Sequence, residues 1–147
     1  MSLQTDIRQA RETSLGWMVQ RLASRVEARM ADRLRSVDLS ILQFAVMMTV
    51  LERPALTQAA IGQGFDTPAY AISRALDGLE ARGLVERRKA AASRRSFEVH
   101  VTAAGQALAP QLTAIVGEVN AGVTRSLTAA ETEQLLRLMA RLLADTA

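Results

Sequence analysis

The feature that most constrains the fold of this chain is the order of local signals between Asp66 and Thr102. A helix start at Thr67 and Pro68 is followed by a helix stop at Gly83, a run of cations, and an alternating apolar segment. Helix, turn, strand, basic loop and strand in this order predict a helix packed on a two-stranded hairpin.

The predicted helix has an apolar inward side and a polar outward side. Thr67 is the expected N-cap, and Pro68 suits the first helical position because its missing N–H would have no helical partner there. Helical spacing gathers four residues on the inward side: Ile72, Ala75, Leu76, Leu79. On the outward side, several residues can donate to phosphates or base edges: Tyr70, Ser73, Arg74. This pattern is typical of a recognition helix, although a generic surface helix also exposes polar residues.

A cationic segment joins the two predicted strands. The first strand begins at Leu84, and the second, from Phe97 to Val101, alternates apolar residues with Glu98 and His100. Residues 87–95 carry five cations and no acid: Arg87, Arg88, Lys89, Arg94, Arg95. Like charges at a hairpin tip repel one another unless an anion neutralises them, so we expect this loop to bind phosphates rather than to be only a solvated charge run.

Two shorter helices are predicted before the recognition helix. Ser40 and Gln43 have the spacing of a capping box, and the helix that they open must end before Pro54. Thr57 is the expected N-cap of a short helix that two glycines interrupt. Residues 38–101 therefore predict a winged helix-turn-helix DNA-binding region.

Both ends of the chain carry apolar stripes longer than a small domain needs for its own core. Residues 1–37 predict one long N-terminal helix, and residues 102–147 predict two C-terminal helices, the last opened by a capping box at Thr128 and Glu131. We expect both regions to interlock in a two-fold dimer, each protomer being a single structural domain overall. The alternative is a monomer whose last helix packs on its first.

Composition favours a mostly α fold with a small β-wing, because 49% of the residues are apolar and only 3% are aromatic. The chain has no cysteine, which excludes disulfides and thiolate metal sites and fits the cytoplasm. The single histidine, His100, has no ligand-spaced partners, so neither a metal nor a cofactor is expected. No catalytic motif points to an enzyme. No apolar run reaches the roughly 18 residues of a membrane span.

The combined pattern resembles the winged-helix signature of the MarR (multiple antibiotic resistance regulator) family, over essentially the whole chain. The resemblance rests on Leu56-Thr57-Gln58, on PAYAISRALDGLEARGLVERR from Pro68 to Arg88, and on Arg95, Val99, Val101, Thr102 and Gly105. It implies a homodimeric transcriptional regulator that binds a pseudo-palindromic site in double-stranded DNA. It also implies a repressor whose affinity responds to a small aromatic or phenolic effector.

The resemblance assigns a role to the helix and to the wing. The helix matching residues 67–82 would enter the major groove, and an arginine in an Asp-x-Arg motif would reach into the minor groove. By position this arginine is Arg95, and Ser93 replaces the Asp of the motif. The absence of cysteine excludes the branch of the family that senses peroxide with a reactive thiol.

The predicted DNA contacts are of two kinds. Base reading is assigned to the first half of the recognition helix: Thr67, Tyr70, Ala71, Ser73. Contacts with the DNA backbone or the minor groove are assigned to cations and to the wing tip: Arg74, Arg87, Arg88, Lys89, Ser93, Arg94, Arg95. The alternative function is a winged-helix protein-interaction or scaffold module, whose wing would more often be apolar or mixed in charge.

Overall fold

A computed structural model describes residues 2–145. In chain order its elements are α1 (Leu3–Glu12), α2 (Leu15–Leu34), a 3₁₀ turn (Arg35–Val37), α3 (Ile41–Glu52), β1 (Leu56–Thr57), α4 (Gln58–Gln63), α5 (Ala69–Ala81), β2 (Val85–Lys89), β3 (Phe97–Val101), α6 (Ala103–Val123) and α7 (Ala129–Ala144). The contacts define two compact units. The central unit is Glu27–Val116, and the terminal unit contains the segments that end at Val26 and begin at Gly117. The prediction of a mostly α fold with a small β-wing is confirmed.

The central unit contains a three-stranded antiparallel sheet in the order β1-β3-β2. Within it, Val99 of β3 pairs with Leu56 of β1 on one side and with Arg87 of β2 on the other. Most buried apolar side chains of this unit come from the sheet and from the three helices α3, α4 and α5: Val46, Met47, Val50, Ile61, Ile72, Ala75, Leu76, Leu79, Val85, Val99. The end of α2 adds Leu34, and the part of α6 that lies in this unit adds Leu112 and Ile115. The inward side predicted for the recognition helix is therefore confirmed, because the four residues of its stripe are all buried.

Side-chain caps determine where two helices of the central unit begin. The Ser40 hydroxyl accepts the N–H of Gln43 at 3.1 Å, while the Gln43 amide oxygen accepts the N–H of Ser40 at 3.0 Å. The Thr57 hydroxyl accepts the N–H of Ala60 at 3.1 Å. The predicted capping box and N-cap are thus confirmed, and caps of this kind each stabilise a helix by about 1 kcal/mol.

The strand β1 was not predicted. Ala55 adopts the left-handed conformation with φ 62°, which redirects the chain after α3 and brings Leu56 and Thr57 alongside β3. The same Thr57 then caps α4, so one residue serves both elements. A strand of two residues is too short to produce the alternation by which strands are recognised in a sequence.

The start of α5 differs from its prediction by one residue. The helix begins at Ala69, and Pro68 occupies the cap position in an extended conformation with φ −58° and ψ 144°. Thr67 is therefore not the N-cap, and the prediction that Pro68 is the first helical residue was wrong. Because proline has no hydroxyl, the first N–H groups of α5 receive no side-chain hydrogen bond from the cap residue.

A Schellman motif ends α5. Gly83 has φ 67°, its N–H donates to the carbonyl of Glu80 at 2.9 Å, and the N–H of Leu84 donates to the carbonyl of Leu79 at 3.0 Å. The predicted left-handed glycine is confirmed. Next to it, the Arg82 guanidinium donates to two carbonyls that precede α3, those of Val37 at 2.8 Å and Asp38 at 2.6 Å. The Schellman motif therefore sets the direction in which the chain leaves α5, and Arg82 attaches the end of the helix to the segment before α3.

Replacing Gly83 with alanine is expected to lower the free energy of unfolding by about 1–2 kcal/mol, the usual cost of a left-handed residue that has a Cβ. Nothing lies within 4 Å of an added Cβ, so the cost is conformational rather than steric. Gly117→Ala is the matched control, because Gly117 lies inside α6 and also has open space around it. Urea unfolding measures both variants. An equal effect of the two substitutions would contradict the role of the left-handed turn.

The predicted single N-terminal helix is two helices, α1 and α2. At the break, the Thr13 hydroxyl donates to the Gln9 carbonyl at 2.8 Å and closes α1. The Ser14 hydroxyl then accepts the N–H of Trp17 at 3.3 Å and so caps α2. Two adjacent hydroxyl residues, each bonded to a neighbouring backbone group, interrupt a stripe that is otherwise continuous in the sequence.

The terminal unit leaves most of its apolar residues exposed. Neither α1 nor α7 contains a buried residue, although the predicted capping box of Thr128 and Glu131 at the start of α7 is confirmed. The exposed large apolar residues of this unit are Leu3, Ile7, Leu15, Trp17, Met18, Val19, Leu127, Leu136, Leu138, Met139, Leu142 and Leu143. An exposed apolar set of this size indicates a surface that associates with another molecule.

Across residues 2–145, no single helix is long and apolar enough to cross a membrane. The segments Leu15–Val37 and Ile41–Glu52 meet the length and composition criteria only as a pair, and that pair is bent by 76°.

Candidate nucleic-acid interface

The outward side of α5 carries several of the residues that were predicted to contact DNA. Tyr70 is 69% exposed, and Arg74 is also exposed. Ala71 and Ser73 are half-buried, as is Thr67 just before the helix. Tyr70, Ala71 and Arg74 line a groove of about 300 Å³ beside Ser40 and Gln43. The first turns of α5 and the capped start of α3 therefore form adjacent parts of one surface.

The wing is longer than predicted. The ladder between β2 and β3 extends to the pairs Arg88 with Glu98 and Lys89 with Phe97, and the N–H of Ala90 donates to the carbonyl of Ser96 at 2.9 Å. The prediction that all five cations lie in the loop was wrong, because three of them belong to strand β2: Arg87, Arg88, Lys89. Their side chains therefore alternate between the two faces of the hairpin.

Ser93 shapes the tip of the wing. Its hydroxyl accepts the N–H of Arg95 at 3.3 Å, its own N–H donates to the carbonyl of Ala90 at 3.3 Å, and its carbonyl accepts the N–H of Ser96 at 3.3 Å. A serine hydroxyl can accept such a hydrogen bond as an aspartate carboxylate does. Ser93 thus orders the backbone of Arg95 without adding a negative charge to the tip.

Arg87 contacts two carboxylates of α5. Its Nε donates to Glu80 Oε2 at 3.0 Å, its backbone N–H donates to Glu80 Oε1 at 3.0 Å, and its Nη2 donates to Asp77 Oδ1. The Arg87 side chain is only 20% exposed. The hydrogen bonds from the backbone and then from the side chain of Arg87 lower the pKa of Glu80. The hydrogen bond with Asp77, followed by that with Glu80, raises the pKa of Arg87.

Glu80 is expected to make the stability of the protein depend on pH. Its folded-state pKa lies below the ordinary value of 4.5, so its stabilising effect is complete above that value and is lost as pH falls through the folded-state pKa. We therefore expect Glu80→Gln to be less stable than the unmodified chain at neutral pH, and the difference to shrink below about pH 4.5. Urea unfolding across this pH range measures it, with the exposed Glu133→Gln as control. A constant difference would contradict the assignment.

The remaining wing cations have different surroundings. Arg88 donates to Glu86 on the same strand, and both side chains are exposed. Lys89, Arg94 and Arg95 are exposed, and within residues 2–145 their side chains make no hydrogen bond or ion pair. The structure thus separates two paired cations, Arg87 and Arg88, from three that are unpaired in the described chain and can bind an external anion: Lys89, Arg94, Arg95.

One groove brings the start of α5 and the wing together. It has a volume of about 540 Å³, and its lining residues are Thr57, Gln58, Ala59, Gly62, Gln63, Thr67, Ala69, Ile72, Arg95, Ser96 and Phe97. Thr67 and Arg95, predicted to contact DNA for separate reasons, therefore share one surface. Phe97, the first of the alternating apolar residues of the predicted second strand, is 42% exposed and lines this groove.

Two residues that the sequence interpretation missed are Asp77 and Glu80, the partners of Arg87. They are three residues apart on α5 and so lie on the same side of that helix. Two acids with this spacing on a helix, followed by a strand that contains cations, are the signal that could have indicated the contact with Arg87. His100 lies 3.2 Å from Glu98, and the described residues contain no group of three side chains that could hold a metal ion.

The geometry defines a winged-helix protein: a helix-turn-helix followed by a two-stranded wing, with a third short strand at the edge of the sheet. The sequence profile of the MarR family matches residues 37–96, from the turn before α3 to the end of the wing loop. Apo wild-type MarR from E. coli has a TM-score of 0.81 and 25% identity over 88% of this chain and 96% of that chain. Residues 37–96 thus match the MarR family, and the fold is the one seen in MarR-type winged-helix regulators.

Two similar structures are complexes with DNA. A mutant MarR from E. coli in complex with operator DNA has a TM-score of 0.76 and 24% identity, over 97% of this chain and 99% of that chain. A MarR family protein from Mycobacterium tuberculosis in complex with DNA has a TM-score of 0.80 and 24% identity, over 88% of this chain and 98% of that chain. At this level of identity the similarity establishes a shared fold.

Proposed function

We propose that this protein is a homodimeric, sequence-specific DNA-binding transcriptional regulator that acts as a ligand-responsive repressor in the cytoplasm. The observation that carries the proposal is the set of unpaired wing cations: Lys89, Arg94, Arg95. They lie in the same unit as a recognition helix with an exposed outward side. Unpaired cations on an exposed hairpin attract a polyanion, and the helix supplies groups that can read base edges.

Base reading is assigned to the exposed part of α5. The phenol of Tyr70 and the guanidinium of Arg74 can donate hydrogen bonds in a major groove, and Arg74 can form a bidentate pair with guanine. Ala71 and Ser73 allow a close approach because they are small. Thr67 has its hydroxyl free of the capping role and lies on the groove that also contains Arg95.

Affinity is assigned to the cations that remain available. Lys89, Arg94 and Arg95 are exposed and have no partner among the described residues, and Ser93 orders the tip that carries the two arginines. Arg88 is exposed as well, although it donates to Glu86 on its own strand. The similar structures from E. coli and M. tuberculosis were solved with DNA, which supports DNA binding by a protein of this fold. Arg87 was predicted to be one of these contacts, but two carboxylates already engage its guanidinium.

The exposed apolar residues of the terminal unit are the argument for a dimer. They include Leu136 and Leu143, which are one heptad apart on α7 and therefore lie on one side of it. Burial of these side chains against a second copy would stabilise the dimer by about 25 cal/mol for each Å² of apolar surface removed from water. A two-fold dimer presents two winged units to two half-sites, which is the arrangement that a pseudo-palindromic operator requires. A small aromatic or phenolic effector would act by changing the spacing of these units.

The alternative, a winged-helix module that binds protein, is favoured by one observation. Phe97 is exposed on the groove between α5 and the wing, and an exposed aromatic residue is typical of protein interfaces. The cationic hairpin beside it favours DNA, because a protein-binding wing would more often be of mixed charge.

The test is binding to a random-sequence duplex while the salt concentration is raised, followed by selection of preferred sequences from a random pool. We expect log affinity to fall linearly with log salt, with a slope of about −0.9 for each phosphate contact. We also expect the selected sequences to contain an inverted repeat. Binding that is absent at low salt, or that does not change with salt, would eliminate the DNA-binding proposal.

A further inference from the structure

We infer that Arg87 is a positioning residue that holds the recognition helix α5 at a fixed angle to the wing, and so determines sequence specificity without contacting DNA. The inference rests on the proposed function, since it concerns how the two DNA-reading elements act together. The sequence pattern places Arg87 among the phosphate contacts, and the geometry points to a different role.

The contacts of Arg87 connect the helix to the middle of the hairpin. Both its backbone N–H and its Nε donate to Glu80 at 3.0 Å, so the strand itself, and not only the side chain, is attached to α5. The Nη2 group lies 2.9 Å from Glu80 Oε2 and also contacts Asp77. Because Arg87 pairs with Val99 of β3, whatever holds Arg87 holds both strands of the wing.

The charges around Arg87 oppose a phosphate contact. Two carboxylates, those of Asp77 and Glu80, face the single positive charge of Arg87, so the three side chains together carry a net negative charge. A phosphate placed at this guanidinium would also meet those carboxylates and be repelled. Lys89, Arg94 and Arg95 have no such partners within the described part of the chain. The local charge therefore assigns phosphate binding to the outer part of the wing.

The guanidinium group is suited to this positioning role. Its planar donors engage two carboxylates at fixed directions, whereas a lysine ammonium is a point charge without that geometry. A helix and a wing connected in this way present their DNA contacts at one relative angle. Base pairs that fit this angle are bound by both elements, and a shuffled site is bound by the cations alone.

Three variants separate positioning from phosphate binding: Arg87→Met, Arg87→Lys and Glu80→Gln. Each is titrated with a duplex selected from a random pool by the unmodified chain, and with a duplex of the same composition in shuffled order. We expect each variant to lower the ratio of the two affinities by about tenfold, the size typical of a disrupted coupling. The slope of log affinity against log salt should stay that of the unmodified chain, because no phosphate contact is removed.

The ratio of affinities is insensitive to a merely structural effect. Partial unfolding reduces the competent fraction, and hence the affinity for both duplexes by the same factor. Arg94→Ala is the contrasting control: it should weaken binding to both duplexes and make the salt slope shallower by about 0.9 for each phosphate that the variant no longer neutralises.

Two results would overturn the inference. The first is an Arg87→Lys variant with the specificity of the unmodified chain, since a phosphate contact needs only a charge. The second is a Glu80→Gln variant that binds both duplexes more tightly, since this would mean that the carboxylate had been competing with DNA for Arg87. Failure of the proposed function is recognised separately, because the unmodified chain would then select no duplex.

Discussion

Replacement of both Arg94 and Arg95 with alanine is expected to reduce the affinity for a selected DNA duplex at least about 100-fold, because each arginine contact contributes about 1–3 kcal/mol and a dimer loses four arginines. The salt slope should become shallower by roughly 0.9 for every arginine that had neutralised a phosphate. Fluorescence anisotropy at several salt concentrations measures both quantities. The expectation follows from the exposed guanidinium groups, which make no ion pair within residues 2–145.

The control for this prediction removes a cation elsewhere. Arg125 lies in the turn between α6 and α7, outside the central unit, so Arg125→Ala changes the net charge without changing the wing. We expect Arg125→Ala to have at most a small effect, and both variants to keep the mass of the proposed dimer. If the wing variant loses the dimer, its loss of DNA binding no longer reports on a wing contact. If its salt slope is unchanged, the wing does not bind phosphates.

The features that the sequence predicted correctly depend on short-range chemistry. Ser40, Thr57 and Thr128 each accept an N–H three residues ahead, and Gly83 adopts the left-handed conformation that ends α5. A hydroxyl residue or a glycine at such a position determines its own local geometry. Helix boundaries with these signals were therefore predictable, and so were the inward residues of α5, because helical spacing alone selects them.

The features that were missed depend on contacts that are remote in the sequence or on competition between neighbours. Arg87 looked like any other cation of its run, and only its approach to Glu80 shows that its charge is already satisfied. β1 exists because Leu56 reaches Val99, more than 40 residues away. Thr67 was the predicted N-cap of α5, but its neighbour Pro68 occupies that position. Spacing rules describe each segment alone and therefore cannot rank such outcomes.

The same distinction applies to the apolar stripes at the chain ends. Their spacing predicted helices, and the structure confirms helices, but spacing does not reveal what covers them. In the described chain Leu136 is 56% exposed and Leu143 is 73% exposed. Solvated leucines on one side of a helix indicate a surface that is incomplete in the protomer. The proposed dimer accounts for these leucines and for the need to present two winged units.

Leu136→Glu combined with Leu143→Glu is expected to convert the proposed dimer to a monomer. The affinity for the selected duplex should fall by about 100-fold or more, since a second winged unit is no longer held at high effective concentration near the second half-site. The physical reason is that burial of four unpaired carboxylates in a dimer interface would cost several kcal/mol each. Light scattering measures the mass, and anisotropy with one and two half-sites measures the binding. A single half-site should then bind the variant and the unmodified chain almost equally.

Gln134→Glu is the control, because it adds a carboxylate to the opposite side of α7, where Gln134 is exposed. We expect it to remain dimeric and to bind the selected duplex nearly as tightly as the unmodified chain. A dimeric Leu136→Glu, Leu143→Glu variant would show that the leucine face of α7 is not the interface. A monomeric variant with undiminished affinity for the full site would show instead that one winged unit reads the DNA alone. Only loss of the dimer together with loss of two-site affinity connects the terminal unit to the function proposed for the central one.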